Sequence, residues 1–411
     1  MLDIKYIREN SEEVKRGVAD KQLDPKLVDV VLEADKKWRE FLQKVEEFRK
    51  ERNLAAKEKN IEKGKKIKGE LQSLEIQLKK SEQQQKEALA KIPNIPSADV
   101  KVGKDESENE IVRKWGEPRK FDFGFKPFWQ LGEELGIIDT ERAAKVSGTR
   151  FFYLKDDGVL LDQSIVQFAL ETLTKEGFTP IIPPVLIKKE MMAGMGYLEH
   201  GGEEDMYVLD KDGLVLVGTS EQSVGPLHAG EILDGKILPL RYVAYSTCFR
   251  REAGSYGKDT KGSLRVHQFN KVEMFSFTRE ENSDSEHEYF LSLEENFLQA
   301  LGIPYEVSKM CSGDLGIPAA RKYDLNGWFP SESKYRELTS TSTCTDFQAR
   351  GLDIRYQDKR ITKYVHMLNG TAFSQRPILA ILENYQQEDG SVVVPEVLRK
   401  WMGKDKIVKN E

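Results

Sequence analysis

Residues 249–273 read FRREAGSYGKDTKGSLRVHQFNKVE, and this stretch decides the fold of the larger part of the chain. The segments Tyr242–Arg250 and Leu264–Phe277 are rich in β-branched and aromatic residues, which predicts two antiparallel strands. Residues 254–262 between them are polar and rich in glycine, which predicts a connecting loop. We therefore expect a long β-hairpin.

The two strands of this hairpin present side chains that suit a nucleotide. Arg250 lies on the first strand, and Arg265, Phe269 and Glu273 follow at intervals of four residues on the second, so these three are expected to face the same way. A guanidinium, an aromatic ring and a carboxylate can hold a phosphate, a base and a neighbouring cationic group. The alternative is an exposed hairpin with ordinary surface charges.

The composition excludes several classes of protein. A chain of 411 residues with a net charge of −6 and 32% charged residues is typical of a globular protein of about two or three domains, and it argues against a general nucleic-acid coater. Neither a signal peptide nor a run of about 18 apolar residues occurs, so we expect no membrane partner. Three scattered cysteines, without zinc-site spacing, predict free thiols and a cytoplasmic location: Cys248, Cys311 and Cys344.

A different pattern occupies the N-terminal part of the chain. Apolar residues recur at spacings of four and three over residues 27–48 and again over 67–78, with Lys, Glu, Gln and Arg between them. This spacing predicts two long helices that pack along one seam. Because no proline interrupts residues 27–91, we expect an antiparallel two-helix coiled-coil arm with its tip near residues 60–66. Each helix should be about 40–50 Å long.

The expected tip of the arm is basic, since six lysines and two glutamates fall within residues 57–68. Two interpretations stay open: an arm that grips an RNA backbone through phosphate contacts, and a solvated coiled coil used for dimerisation or spacing. The two prolines of IPNIPS, residues 92–97, stop the helix. We therefore expect an N-terminal helical arm over residues 1–96 and a second domain over residues 97–411.

The second domain is expected to mix strands and helices. Residues 100–122 are polar and predict irregular structure, and Trp129–Ala144 predict one helix. The turn residues Asp156-Asp157-Gly158 predict a hairpin of residues 150–154 and 158–161. The further predicted elements are a helix over 162–175, a hairpin of 206–209 and 214–217, a helix over 285–302, and strands over 305–313, 323–329 and 334–342.

Prolines mark two more segments. Residues 178–187, FTPIIPPVLI, predict an extended segment at a sheet edge or an interface, because proline removes a backbone donor. Residues 366–386, HMLNGTAFSQRPILAILENYQ, predict a turn at Asn369-Gly370 that leads into a helix, with Arg376 near its start. The sequence has no Walker A motif, so any nucleotide phosphates must be held by side chains and metal.

These segments resemble motifs 1, 2 and 3 of the class II aminoacyl-tRNA synthetases, which correspond to residues 178–187, 249–273 and 366–386. The resemblance is to the seryl-tRNA synthetase family over nearly the whole chain, through IPNIPS, GKDESEN, WGEPRKFDF, AAKVSGTRF, CSGDLG and YRELTS. It implies an α+β fold: an N-terminal antiparallel two-helix coiled-coil arm, and a class II catalytic domain on a central antiparallel β-sheet flanked by helices. It also implies a homodimer through motif 1 around Pro184.

The resemblance implies how ATP is held. Arg250 would contact the α-phosphate and Arg376 the γ-phosphate, while Phe269 stacks under the adenine and Glu252 accepts from its exocyclic amine. Mg²⁺ would be bound through ATP by Glu337 and Ser340. The implied catalytic residues are Arg250, Arg265 and Arg376, within an ATP site of Arg250, Arg251, Glu252, Arg265, Val266, Phe269, Glu337, Leu338, Thr339, Ser340 and Arg376.

It also implies a serine-activating ligase, in which the serine carboxylate attacks the α-phosphorus of ATP and releases pyrophosphate. A ribose hydroxyl at the 3′ end of tRNA(Ser), and of tRNA(Sec) where present, then attacks the adenylate. A pocket of paired polar groups suits serine, because analogues without the hydroxyl leave those groups unpaired. The implied serine site is Thr219, Ser220, Glu221, Arg250, Glu273, Asn369 and Thr371.

The sequence departs from the family pattern without losing a catalytic residue type. The departures are Gly218 for the usual Pro, Gln375 and Pro377 for Gly and Thr, Arg251 and Tyr256 for small residues, and Thr339 for Ser. Two other interpretations are a carrier-protein ligase of the same fold, which would lack the long arm, and an inactive relative. The inactive relative would have lost at least one of four residues that are all present: Arg250, Arg265, Glu273 and Arg376.

Overall fold

The computed structural model describes residues 1–253 and 263–409, so the predicted loop at 254–262, with Tyr256, lies outside the described residues. The chain divides into two compact units, Met1–Ile95 and Pro96–Glu411. The first unit is helical and the second combines strands with helices, which confirms the predicted α+β class.

The first unit contains two short helices and two long ones: α1 (Ile4–Glu9), α2 (Ser11–Asp20), α3 (Lys26–Lys57) and α4 (Ile61–Ala90). Arg49 of α3 contacts Glu75 of α4 at 2.8 Å, and Asp35 of α3 contacts Gln85 of α4 at 2.8 Å. The residue numbers of these contacts increase along α3 while they decrease along α4. The two helices therefore run antiparallel, as predicted.

The seam between the two long helices confirms the heptad pattern. Val31, Val45, Ile67 and Leu71 are buried along it. The turn lies at residues 58–60, earlier than the predicted tip at 60–66, because the Asn60 side chain accepts a hydrogen bond from the backbone N–H of residue 63 and so starts α4 as an N-cap.

The second unit is built from a large sheet, several small sheets and covering helices. Its helices are α5 (Phe128–Glu134), α6 (Thr140–Ser147), α7 (Asp157–Lys175), α8 (Lys189–Met195), α9 (Glu221–Val224), α10 (Ser283–Ala300), α11 (Phe347–Leu352), α12 (Arg376–Tyr385) and α13 (Arg399–Met402). Its strands are β1 (Glu110–Trp115), β2 (Ile138–Asp139), β3 (Tyr153–Leu154), β4 (Thr179–Ile181), β5 (Leu186–Lys188), β6 (Val208–Leu209), β7 (Leu214–Leu216), β8 (Ile232–Asp234), β9 (Leu240–Phe249), β10 (Gln268–Thr278), β11 (Tyr305–Lys309), β12 (Arg321–Phe329), β13 (Lys334–Thr343), β14 (Arg355–Asp358), β15 (Ile361–Tyr364), β16 (His366–Ser374), β17 (Val392–Val393) and β18 (Lys406–Ile407).

Within the described ranges, the largest sheet has eight strands in the order β1-β11-β12-β13-β16-β10-β9-β4. Every neighbouring pair is antiparallel except β4 and β9, which are parallel. The pairing of β9 with β10 confirms the two strands predicted on either side of residues 254–262. The proline-marked segment supplies β4 at the edge of the sheet, as predicted.

One face of the large sheet is covered by helices. Alternate residues of β12 are buried, and Leu325 and Phe329 join a core with Phe290 and Phe297 of α10. The intervening residues of β12 point to the opposite face because side chains alternate along a strand. This second face is less buried and contains the clefts described below.

Two predictions within residues 129–161 were wrong. The single helix predicted over 129–144 is interrupted at Gly136, whose φ of +72° suits a residue without a side chain. The predicted hairpin does not form, because β3 pairs with β2 and residues 158–161 belong to α7. A Cβ on Gly158 would lie 2.9 Å from the carbonyl oxygen of Ile137, so this glycine permits close packing instead of making a turn.

Two more boundaries differ from the prediction. Residues 110–115 form β1 within a segment predicted to be irregular, and all six are exposed, so the strand lacks the alternation that would reveal it. The second strand of the hairpin begins at Gln268 and not at Leu264, so Arg265 precedes the strand.

The three cysteines are buried free thiols, which confirms the prediction that they form no disulfide: Cys248, Cys311 and Cys344. Among the helices of the described residues, none has the length and apolar character needed to cross a bilayer.

Candidate active site

A cleft on the open face of the sheet brings together most of the residues of the predicted ATP site. Strands β10, β13 and β16, the segment that follows β9 and the start of α12 all contribute to it. The residues that line this ATP-side cavity are Arg250, Glu252, Ser263, Leu264, Val266, Phe269, Lys271, Glu337, Leu338, Ser340, Thr371, Ser374, Gln375 and Arg376.

A second cavity adjoins the first and contains much of the predicted serine site, including Thr219, Glu221 and Asn369. Arg250, Lys271 and Ser340 line both this serine-side cavity and the ATP-side cavity. The three shared side chains therefore mark the junction where two small molecules could react.

Arg250 is held at this junction by the neighbouring backbone. Its Nε donates a hydrogen bond to the carbonyl oxygen of Gly218 at 3.0 Å, and the backbone N–H of Phe249 donates to Val217 at 2.8 Å. The guanidinium carbon lies 5.3 Å from the centroid of the Phe269 ring. A permanent positive charge is thus fixed beside an aromatic face.

Arg376 and Glu337 form an ion pair at the opposite wall of the cleft. The Arg376 Nη1 donates to a Glu337 carboxylate oxygen at 2.8 Å and to the Glu337 carbonyl at 3.0 Å. Burial by itself would raise the pKa of Glu337, but the charges of Arg376 and Lys322 lower it to about 2. Glu337 is therefore ionised at neutral pH.

A second charged pair lies next to this wall. The Lys322 ammonium is 3.0 Å from the Asp324 carboxylate, and both residues belong to β12. Burial raises the pKa of Asp324 to about 6, an effect that Lys322 opposes. Asp324 pairs with Ser340 across β12 and β13, which places it beside the cleft.

Glu252 and Arg265 meet although they are separated by residues 254–262. The Arg265 Nη1 lies 3.4 Å from the Glu252 carboxylate, and Glu252 has a left-handed φ of +54°. Because Arg265 precedes β10, the prediction that it shares a strand face with Phe269 was wrong. It lines a neighbouring pocket that also includes Glu337 and Arg376.

Glu273 is a buried carboxylate in β10. The Lys271 ammonium lies 2.7 Å from its Oε2, and Thr371 of β16 lies directly opposite it in the strand pairing. Burial raises the pKa of Glu273 to about 7, with the charge of Lys271 opposing this rise and that of Glu221 adding to it. The carboxylate is therefore close to half-protonated at neutral pH.

Thr219 and Glu221 of the predicted serine site both line the serine-side cavity. The Thr219 hydroxyl accepts a hydrogen bond from Lys271 at 3.1 Å, and Glu221 accepts one from the hydroxyl of Tyr197. Burial raises the pKa of Tyr197 well above its usual value, so this hydroxyl stays protonated and donates. The acid that lines this pocket, Glu221, thus has a partner from another part of the chain.

Three predicted site residues point elsewhere. The Arg251 guanidinium lies over the ring of Tyr207, outside the two cavities. The Thr339 hydroxyl donates to Glu294 of α10 at 2.8 Å, on the helix-covered face of the sheet. Ser220 is fully buried at the start of α9 and its side chain lines neither cavity.

The motif 3 prediction needs one correction. Asn369 and Gly370 lie inside β16 and not in a turn, because both pair with β13 and with β10. The change of direction comes at Gln375, immediately before α12. As a result Thr371 is a buried strand residue that faces Glu273.

The structure also adds residues that the motifs did not single out. Lys271 could have been predicted, because it lies two residues from both Phe269 and Glu273 and therefore shares their face of the strand. The others come from distant segments with no pattern that links them: Tyr197, Lys322 and Asp324.

Comparisons with known proteins agree with this geometry. The family model "Seryl-tRNA synthetase N-terminal domain" matches residues 1–96, and "tRNA synthetase class II core domain (G, H, P, S and T)" matches residues 207–385. The serine–tRNA ligase of Thermobifida fusca is 44% identical over 98% of both chains, and that of Thermosipho africanus is 45% identical over 99% of both.

Solved structures are similar over the full length. The seryl-tRNA synthetase from Pyrococcus horikoshii complexed with ATP has a TM-score of 0.94 and 41% identity, with 100% of both chains covered. The cytoplasmic serine–tRNA ligase from Naegleria fowleri in complex with AMP has a TM-score of 0.90 and 35% identity, with 100% of this chain and 99% of that chain covered.

The antiparallel sheet, its arginine-lined cleft and the core-domain match define a class II aminoacyl-tRNA synthetase. The paired long helices of the first unit match the N-terminal domain found in one branch of that class, which excludes the armless carrier-protein ligase. The chain belongs to the seryl-tRNA synthetase family.

Proposed function

We propose that the chain activates L-serine with ATP to seryl-adenylate and transfers the serine to the 3′ end of tRNA(Ser). The observation that supports this most is the junction of the two cavities, which share Arg250, Lys271 and Ser340. An amino acid in one cavity and ATP in the other would meet there. Little covalent chemistry then falls to the protein, because positioning and charge neutralisation dominate phosphoryl chemistry.

In the adenylation step, the serine carboxylate attacks the α-phosphorus and pyrophosphate leaves. Arg250 is placed to stabilise the negative charge that builds at the α-phosphate, since its guanidinium is fixed at the junction. Phe269 offers a ring for adenine, and Arg376 and Arg265 lie at the far wall, where the γ-phosphate would extend. Glu252 accepts from the adenine amino group, a role that suits its place in the lining.

Serine would be selected by buried polar side chains whose hydrogen-bonding partners are the polar atoms of serine. Thr219 and Glu221, which line the serine-side cavity with Asn369, receive the ammonium. Asn369, Thr371 of the ATP-side cavity and the buried Glu273 opposite Thr371 pair with the rest of the amino acid. An analogue that lacks the hydroxyl leaves a buried partner unpaired, which costs more than a lost apolar contact.

Mg²⁺ suits the wall formed by Glu337 and Ser340. The low pKa of Glu337 keeps it an anionic oxygen donor, and Ser340 lines the same cavity. Within the described residues, no group of three or more His, Cys, Asp or Glu side chains is placed to hold a metal, so most ligands would be ATP oxygens and water. The ion would supply positive charge that offsets the triphosphate.

The helical arm, residues 1–96, would bind the tRNA, while residues 97–411 form the catalytic domain. The six lysines of the tip are exposed, as phosphate contacts require: Lys57, Lys59, Lys63, Lys65, Lys66 and Lys68. Contacts between lysines and phosphates do not depend on the nucleotide sequence of the RNA. We therefore infer that tRNA(Sec) would also be a substrate where it occurs.

We also infer a cytoplasmic homodimer formed through the motif 1 region around Pro184. Ile182, two residues earlier, is 84% exposed, and Leu186 is also exposed. Ile182 follows the edge strand β4, and Leu186 begins β5, the edge strand of a small sheet. Exposed apolar side chains beside two strand edges suit a contact with a second copy.

The test is ATP–pyrophosphate exchange with each of the twenty amino acids, followed by tRNA(Ser) charging. Exchange should require serine, and Arg250→Ala should abolish it. Arg251→Ala is the matched comparison, because this arginine stacks on Tyr207 outside both cavities, and it should lose far less activity. Exchange with another amino acid, or full exchange by Arg250→Ala, would refute the proposal.

A further inference from the structure

Lys271 occupies an unusual position for a lysine. Only 9% of its side chain is exposed, and its ammonium lies 2.7 Å from the Glu273 carboxylate and 3.1 Å from the Thr219 hydroxyl. It also lines both the ATP-side and the serine-side cavity. A buried ammonium at such a junction is fixed where reacting groups would meet.

The charges around this lysine are arranged in two pairs. The acidic pair is Glu221, which lines the serine-side cavity, and Glu273, which is buried directly behind Lys271. Lys271 and Arg250 supply the basic pair at the junction. An α-amino acid has an ammonium and a carboxylate separated by about 3 Å, because a single carbon joins them. An ammonium held by the acids therefore brings the carboxylate to the two basic side chains.

We propose that Lys271 is a further catalytic residue of the adenylation step and that its ammonium binds the carboxylate of the incoming amino acid. This inference rests on the proposed function. One carboxylate oxygen attacks the α-phosphorus and forms the new P–O bond, while the bond to the bridging oxygen breaks and pyrophosphate takes the electron pair. Lys271 stays protonated throughout, donates hydrogen bonds and transfers no proton.

Two other roles predict different behaviour. Lys271 could act only as the counter-ion that keeps Glu273 charged, in which case every ligand with an ammonium depends on it. Alternatively, its ammonium could occupy the place of the substrate ammonium, in which case its removal helps such ligands to bind. L-Serinamide separates these roles, because it retains the ammonium and the hydroxyl of serine but has no carboxylate.

The experiment compares the wild-type chain with Lys271→Met and Lys271→Arg. We measure serine-dependent exchange, the Kd of serine, and the Ki of L-serinamide against serine. For Lys271→Met we expect kcat/KM for serine to fall at least about 100-fold and the serine Kd to rise about tenfold, as for loss of a charge-assisted contact. The Ki of L-serinamide should stay within about twofold. Lys271→Arg keeps the charge and should recover part of the loss.

Each other result overturns the inference. Equal weakening of serine and L-serinamide shows a counter-ion role, tighter binding of both shows an occupied ammonium site, and unchanged exchange shows no role. If the thermal unfolding temperature shows that Lys271→Met does not fold, Lys271→Gln replaces it, since the amide can still donate to Glu273 and Thr219. Serine-dependent exchange by the wild-type chain tests the proposed function separately.

Discussion

Glu273 of β10 lies directly opposite Thr371 of β16, and both side chains are buried. The pairing register shifts between Val272 and Glu273, so a bulge sets the relation between the two strands at this point. Motif 2 and motif 3 thus meet at this residue pair, beside the cavity that Thr371 lines.

Replacement of this threonine tests the pocket. Thr371→Val keeps the shape but removes the hydroxyl proposed to pair with serine, so we expect the KM for serine to rise about tenfold, equivalent to about 1.4 kcal/mol. The KM for ATP should change little. Thr371→Ser restores a hydroxyl and should recover most of the affinity. An unchanged serine KM for Thr371→Val would show that the hydroxyl does not serve serine.

The titration of Glu273 predicts opposite pH trends for activity and stability. Its raised pKa of about 7 means that it is protonated below that pH, so kcat/KM for serine should fall as the pH drops through 7. The folded state binds this proton more tightly than the unfolded chain does, so Glu273 lowers stability as the pH rises from about 4.5 to about 7. The buried Glu294, also with a raised pKa, acts on stability in the same direction.

The measurements are pH profiles of serine-dependent exchange and of thermal unfolding. Glu273→Gln should have low activity without the acidic limb of the profile, and a more gradual loss of stability over the same range. A profile for the wild-type chain that is flat between pH 6 and 8 would contradict the assignment of this limb to Glu273.

The Arg376–Glu337 pair predicts a nucleotide effect. Arg376→Lys keeps the charge but loses the planar guanidinium, whose Nη1 donates to the carboxylate and to the backbone carbonyl of Glu337 and whose other N–H groups are proposed to face the γ-phosphate. The KM for ATP should therefore rise about tenfold while the KM for serine stays near its original value. Arg350→Lys is the matched control, because Arg350 pairs with Asp346 at 2.7 Å outside the cleft. A larger effect on serine than on ATP would place Arg376 elsewhere in the mechanism.

The basic tip of the arm predicts a separation of the two half-reactions. Replacing the six exposed tip lysines by glutamine should leave ATP–pyrophosphate exchange intact but reduce tRNA charging at least about tenfold, because phosphate contacts are lost. Deletion of residues 53–73 should abolish charging while exchange remains. The control replaces Lys145, Lys175 and Lys188, which are exposed on the other unit. Equal charging by tip and control variants would contradict the RNA-binding interpretation.

A variant of Thr339 tests whether its hydroxyl stabilises the fold or binds the nucleotide. Its hydroxyl donates to the fully buried Glu294, so Thr339→Val should lower the free energy of unfolding by about 1–3 kcal/mol. Thr339→Ser should retain the hydrogen bond and most of the stability. Chemical denaturation and the KM for ATP are measured together, and a raised KM at unchanged stability would instead place the hydroxyl on the nucleotide.

Much of the fold followed from local patterns. The seam of α3 and α4 could be predicted because each helix repeats its apolar residues at a fixed spacing, and the strands β9 and β10 because β-branched and aromatic residues cluster in them. The secondary-structure predictions that were wrong concern segments in which the sequence pattern was ambiguous. The fully exposed strand β1 shows no alternation, and Gly158 and Gly370 occupy packed positions that resemble turns in the sequence.

The sequence by itself determined the two long helices, the strands of the hairpin and the residue types available for ATP and serine, because these depend on the order and spacing of neighbouring residues. Only the tertiary structure decided which of those residues meet. Lys271 contacts Thr219, Tyr197 contacts Glu221, and Thr339 turns away from the cleft towards Glu294. Such contacts depend on strand register and on the packing of distant segments, which no local spacing encodes.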